Sequence, residues 1–188
     1  ETNNGWIVID PLTTVEVAKA AMELVDEQLG KKPVKAIVIT HSHMDHYGGM
    51  KGIASEAEVK NGLDIIAPAG FYNSSISENI IAGNAMKRRA LYMFGYLLPR
   101  DTLGLVGNGL GQSLSTGTNT ILKPTINIIE TGQRVTIDGI EMVFQNTPEA
   151  EAPAEEAAPA EEEASSEEAT DEPPNFNTFI LIFYNYFI

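Results

Sequence analysis

Three histidines and one aspartate fall within six residues: His41, His43, Asp45 and His46. They sit in the run Thr40-His41-Ser42-His43-Met44-Asp45-His46-Tyr47-Gly48-Gly49. Imidazole is a good ligand for a borderline metal such as zinc, and a carboxylate adds a hard oxygen donor. In an extended turn, His41 and His43 can point to one side while Asp45 and His46 approach a second position. That arrangement suits two metal ions about 3.5–4 Å apart, which lower the pKa of water to about 7 and so make hydrolysis feasible at neutral pH. A single histidine reads more simply as a surface or core residue. Three with an aspartate at this spacing, behind a buried strand and ahead of Gly48-Gly49, read as a metal loop. The glycines let the following helix start close to the site without side-chain obstruction.

The elements that must hold this loop are legible on either side of it. Residues 5–10, Gly-Trp-Ile-Val-Ile-Asp, read as a strand that turns at Pro11. Thr13 or Thr14 can cap a helix with apolar positions at Val17, Ala20, Ala21, Leu24, Val25 and Leu29, and Gly30 ends it. Residues 34–40 form a second strand, apolar enough to be buried, which runs directly into the metal loop. A helical stretch around 47–60 and a strand at 64–68 follow. Strand, helix, strand, motif, helix, strand is an α/β alternation. Residues 77–98 are helical in pattern, with Arg88 and Arg89 adjacent and able to face either an anion or solvent. Residues 104–117 are rich in glycine and hydroxyl side chains and form a loop. Residues 125–144 read as strands, with a hairpin turn at Asp138-Gly139.

Composition narrows the chemistry further. The 188 residues contain no cysteine, so thiolate metal sites and disulfides are excluded. The net charge of −14 is uneven: residues 149–172 hold 11 acidic residues and no basic one. Outside that run, 12 basic residues face 15 acidic ones, a balance of −3 with no basic patch for nucleic acid. Residues 149–174 are Glu, Ala, Pro and Ser, and are expected to be a disordered acidic linker. Residues 175–188 are aromatic and β-branched, either one extra strand or a sticky end. They are too short for a transmembrane helix, which needs about 20 apolar residues. No signal peptide is visible.

Three blocks carry a resemblance to a known family. Residues 5–14 (GWIVIDPLTT), residues 77–95 (SENIIAGNAMKRRALYMFG) and the glycine-rich residues 106–112 (VGNGLGQ) with 115–118 (STGT) resemble the linear alkyl sulfatases that degrade dodecyl sulfate. These belong to the metallo-β-lactamase superfamily, and the resemblance runs over about residues 5–148. It implies an α/β (α+β) fold, the αββα sandwich, incomplete here, over residues 1–148, followed by the acidic linker and the short apolar tail. It implies zinc-dependent hydrolysis of an alkyl sulfate to alcohol and sulfate at a two-zinc site. His41 and His43 match the ligands of one metal, and Asp45 and His46 those of the other. Gly107, Asn108, Gly109 and Gly111 lie where the family approaches the sulfate, as exposed backbone N–H groups of a glycine loop can. A homodimer and a periplasmic or secreted setting are further implications. The family also needs one more histidine and two glutamates downstream, and all three histidines of this chain are already in the motif. The expectation is therefore a fragment, inactive by itself and of doubtful zinc occupancy. A non-catalytic remnant with weak or no metal binding, and another hydrolase of the fold such as a thioesterase or lactonase, stand beside it.

Overall fold

The computed structural model describes residues 1–108, 113, 115–146 and 178–183. Four strands form a parallel sheet in the order β1 (Trp6–Ile9), β2 (Val34–Val38), β3 (Asp64–Pro68), β4 (Ile126–Ile128). A second sheet holds β5 (Arg134–Ile137), β6 (Ile140–Asn146) and β7 (Thr178–Phe183). The expected hairpin is present: β5 and β6 pair antiparallel around Asp138 (φ 48°) and Gly139 (φ 83°), a turn with both central residues left-handed. β7 pairs parallel with β6, so residues 178–183 take the extra-strand alternative of the sequence reading.

Strand alternation sorts the core into two layers. Ile37 and Ile39 point to one face of the parallel sheet and meet Tyr47, Met50, Leu63, Ile65, Ala67 and Phe71. Ala36, Val38 and Ile66 point to the other face and meet Ile128, Ile137, Met142 and Phe144 from the second sheet. A strand buried on both faces must be apolar throughout, which is why β2 reads as an unbroken apolar run. The layers are helices, parallel sheet, second sheet.

The helical layer departs from the expected pattern in two places. The single stretch around 47–60 is three short helices: α2 (Met44–Tyr47), α3 (Met50–Ile53) and α4 (Glu56–Lys60). Ala54 is extended between the last two, and Ser55 and Glu58 then start α4 with a capping box. The helical stretch at 77–98 begins earlier, as α5 (Phe71–Ile76), passes through a π turn (Ser77–Ile81) and ends as α6 (Gly83–Met93). Helix α1 (Val15–Leu29) is capped by Thr14, whose hydroxyl accepts from the Val17 N–H. Its packing face runs through Ala18, with Ala21, Met22 and Val25 partly buried, while Val17, Leu24 and Leu29 are exposed. Close approach to α3 selects this face: a Cβ on Gly52 would lie 2.3 Å from the Val15 carbonyl oxygen. No described helix is long and apolar enough to cross a membrane. The acidic stretch 149–174 lies outside the described residues.

Candidate metal centre

Buried strand β2 ends at Val38, and the Ile39 N–H still donates to the Ile66 carbonyl, so the chain enters the loop from a fixed direction. His43 is the N-cap of α2, and the His46 N–H donates to the His43 carbonyl at 3.0 Å. His43, Asp45 and His46 are thus carried on one hydrogen-bonded turn, with His41 just ahead of it. Gly48 and Gly49 seat that turn on residues 11–14. A Cβ there would lie 2.0 Å from the Thr13 oxygen and 2.1 Å from the Pro11 oxygen, so the glycines serve close backbone packing beside the site.

The loop is anchored by Asp10, at the end of β1 with φ 52°. One carboxylate oxygen accepts from the Thr40 N–H at 2.8 Å; the other accepts from the Thr40 hydroxyl at 2.7 Å and from His46 Nδ1 at 2.8 Å. The hydroxyl has one proton, and it goes to the carboxylate. The 3.0 Å contact between Thr40 Oγ1 and His41 Nδ1 is then a bond donated by the ring. His41 Nε2 is left as the bare nitrogen, 3.0 Å from His43 Nδ1. The His46 ring lies against His41 with centroids 4.0 Å apart, and its Nε2 is 3.4 Å from Asp45 Oδ2.

Electrostatics divides the histidines. Burial, with His46 and His43 nearby, holds His41 down at about 4, so it is a neutral imidazole at neutral pH, the form that ligates metals. Hydrogen bonds to Asp10 and then to Asp45 push His46 up to about 9. The same bond to His46 lowers Asp45.

These are the right donors for metal ions. With zinc–ligand bonds of about 2.0–2.2 Å, adjacent donors of a tetrahedral site lie about 3.4 Å apart. The His41/His43 pair at 3.0 Å and the Asp45/His46 pair at 3.4 Å fit that spacing. Among the described residues, no group of three or more His, Asp or Glu side chains is gathered for one ion. The motif therefore offers two donor pairs, and each would need further ligands.

The loop that the sequence associates with sulfate is only partly described. Gly107 is exposed, Asn108 donates to the Tyr96 hydroxyl at 3.1 Å, and Gly109 and Gly111 lie outside the described residues. Farther along the same loop, Ser113 and Ser115 join Asp10, Asp45 and His46 in lining a cavity of about 390 Å³. Arg88 is exposed and lines an open cleft with Lys87 and Tyr96. Sequence reasoning did not single out Asp10 or Thr40 as site residues. An acidic residue that closes a strand just before a turn was the available signal, but only the pairing of β1 with β2 brings it to the loop.

The sequence profile described as the metallo-beta-lactamase superfamily matches residues 1–65. A linear primary-alkylsulfatase of Pseudomonas sp is 49% identical over 156 residues, which are 82% of this chain and 23% of that protein. An (R)-specific secondary-alkylsulfatase of Pseudomonas sp is 41% identical over 176 residues, 93% of this chain and 26% of that protein. Among solved structures, a stereoselective inverting sec-alkylsulfatase from Pseudomonas sp. superposes with a TM-score of 0.72 at 44% identity, covering 77% of this chain and 23% of that one. The chain thus spans about a quarter of the length of the relatives it matches.

Proposed function

We propose, from the premise that this chain belongs to the metallo-β-lactamase superfamily and lies among its alkylsulfatases, that its metal loop serves the hydrolysis of alkyl sulfate esters to alcohol and sulfate. The observation that carries the reading is the convergence of His41 Nε2 on His43 Nδ1 and of His46 Nε2 on Asp45, two donor pairs on one turn. His41 and His43 would hold one zinc ion, and Asp45 and His46 a second. Bound there, zinc supplies a Lewis acid for the ester and a lowered pKa for water. The chain's own residues do the positioning. Asp10 and Thr40 fix the His41 tautomer, and Asp10 holds His46. The hydroxyls of Ser113 and Ser115 border the same cavity and can donate to sulfate oxygens. The glycine loop at 107–111 is the second candidate for that contact.

A tetrahedral zinc shell needs four ligands, and each pair supplies two. We therefore expect the 188 residues alone to be inactive, with the missing ligands supplied by sequence of the kind that makes the relatives longer. The test is a chimera in which residues 1–146 replace the matching segment of the Pseudomonas linear primary-alkylsulfatase. The expected result is sulfate release from dodecyl sulfate, lost on His43→Ala. A folded, zinc-loaded chimera that cleaves a thioester or lactone but no alkyl sulfate would overturn the reading.

A second reading is favoured by the lack of any three-residue donor group among the described residues: a chain that binds metal weakly or not at all and catalyses nothing. Metal analysis of the chimera separates the two. Two tightly held zinc ions per chain contradict the non-catalytic reading.

A further inference from the structure

We propose that Glu78 is a positioning residue for the metal loop: it holds the His43 ring from the side away from the donor pair, so that Nδ1 is the nitrogen presented to the metal. The inference rests on the metal reading above and adds a residue outside the motif to it. His43 has two ring nitrogens with different neighbours. Nδ1 faces His41 Nε2 at 3.0 Å, while Nε2 lies 3.8 Å from Glu78 Oε1. A metal held between His41 Nε2 and His43 Nδ1 leaves the His43 proton on Nε2, 3.8 Å from that carboxylate, a charge contact longer than a hydrogen bond. Metal-ligating histidines almost always donate their second ring N–H to a carboxylate, carbonyl or water, and this contact sets the ring orientation.

The fold brings Glu78 there by a specific route. Phe71 and Ser75 are the buried face of α5, and Glu78 follows them at the i, i+4, i+7 spacing of one helical face. Phe71 stacks edge-on against Tyr47 at 5.3 Å, so α5 docks on the end of the metal-loop helix. The segment carrying Glu78 is a π turn, closed by the Ala82 N–H to the Ser77 carbonyl, and single π turns recur at functional sites. The Glu78 side chain is 19% exposed, and its ion-pair partner among the described residues is His43. Acidic side chains are seldom buried without a partner, and the Tyr47 hydroxyl also lies near enough to feel the Glu78 charge.

The test uses the chimera described above, in which the relative supplies the further ligands, with histidine labelled by nitrogen-15. Zinc chloride affinity is measured by competition with a chromophoric chelator, and two-bond proton–nitrogen spectra of the zinc-loaded chain read the state of each ring nitrogen. The expected result is zinc on His43 Nδ1 with a proton on Nε2. Glu78→Ala is expected to weaken zinc binding about 10–100-fold, the usual effect of losing such a partner. Glu78→Gln, whose amide oxygen still accepts, recovers most of the loss, which a merely structural role would not produce. Should Glu78→Ala fail to fold, Glu78→Asp, which draws the carboxylate back by one methylene, is expected to weaken zinc binding instead. Zinc on His43 Nε2, or a folded Glu78→Ala or Glu78→Asp chain with unchanged affinity, overturns the proposal. A chimera with wild-type residues 1–146 that takes up no zinc overturns the metal reading together with it, so the two failures are told apart.

Discussion

Replacing Asp10 by Asn isolates what this carboxylate does. The change keeps the size of the side chain and puts an amide where His46 Nδ1 and the Thr40 hydroxyl now find an acceptor. Asp10 is the leading cause of the rise of His46 from 6.5 to about 9. At about 1.36 kcal/mol per pH unit, that gap corresponds to roughly 3 kcal/mol. His46 is 30% exposed, so solvent screening reduces the figure to about 1–2 kcal/mol. The sign follows from the raised value. The folded protein binds this proton more tightly than the unfolded chain, so the stabilisation is complete below about pH 6.5 and is lost as pH rises through about 9. Urea unfolding of metal-free protein between pH 6 and 10 should show wild type losing about 1–2 kcal/mol relative to Asp10→Asn across that window. Asp45, the second partner of His46, keeps a small slope in the variant. Parallel stability profiles for the two proteins would refute the assignment of the His46 proton to Asp10.

Protonation of His46 also opposes metal binding, since Nε2 must lose its proton to become a ligand while Nδ1 keeps the one that faces Asp10. Apparent zinc affinity at the Asp45/His46 pair should rise up to about tenfold per pH unit between pH 6.5 and 8.5 and level off above about 9, as read by chelator competition. Gly49→Ala places a methyl group 2.1 Å from the Pro11 carbonyl oxygen and 2.6 Å from the Ala18 Cβ. It should cost about 2–3 kcal/mol in urea unfolding, and a neutral result would mean that the 11–14 segment yields easily. Phe144 is fully buried between the two sheets, so Phe144→Ala should cost about 3–5 kcal/mol in the same assay. A loss below about 1 kcal/mol would show that the second sheet adds little to the stability of the first.

Local chemistry made much of the architecture readable. The apolar run at 34–40, the Thr14 cap, Gly30 and the Asp138-Gly139 turn each announce a local conformation, and each is found where its chemistry puts it. The helix break at 48–49 was not readable, because what diverts the chain there is contact with the 11–14 backbone; the second break, before Ser55, carried a readable capping-box signal in Ser55 and Glu58 that the reading of one continuous helix passed over. The π turn was hidden for a related reason: its i to i+5 bond carries no residue signature. The face chosen by α1 depends on the approach of Gly52, so a list of apolar positions could not tell Ala18 from Val17. In the site, the ligand types followed from the sequence. Their supports did not, since Asp10 and His46 are 36 residues apart and meet only through strand pairing.

That separation has a consequence for how the two donor pairs respond to change. Asp10 touches both pairs: through the Thr40 hydroxyl it sets the proton on His41 Nδ1, and directly it holds His46. Among the described residues, the ion-pair contact of Glu78 is to His43. The supports are therefore nested and not equivalent. Loss of the Glu78 carboxylate should weaken the His41/His43 position and leave the pH dependence at the Asp45/His46 pair in place. Loss of the Asp10 carboxylate should disturb both positions at once, because it frees the His41 tautomer and releases the His46 proton. Zinc titrations of Asp10→Asn, Glu78→Ala and the double variant decide the matter. If the supports act on separate rings, the double variant loses affinity at the His41/His43 position by about the product of the single losses. A double variant no worse than Asp10→Asn alone would mean that both carboxylates act through one shared arrangement of the loop.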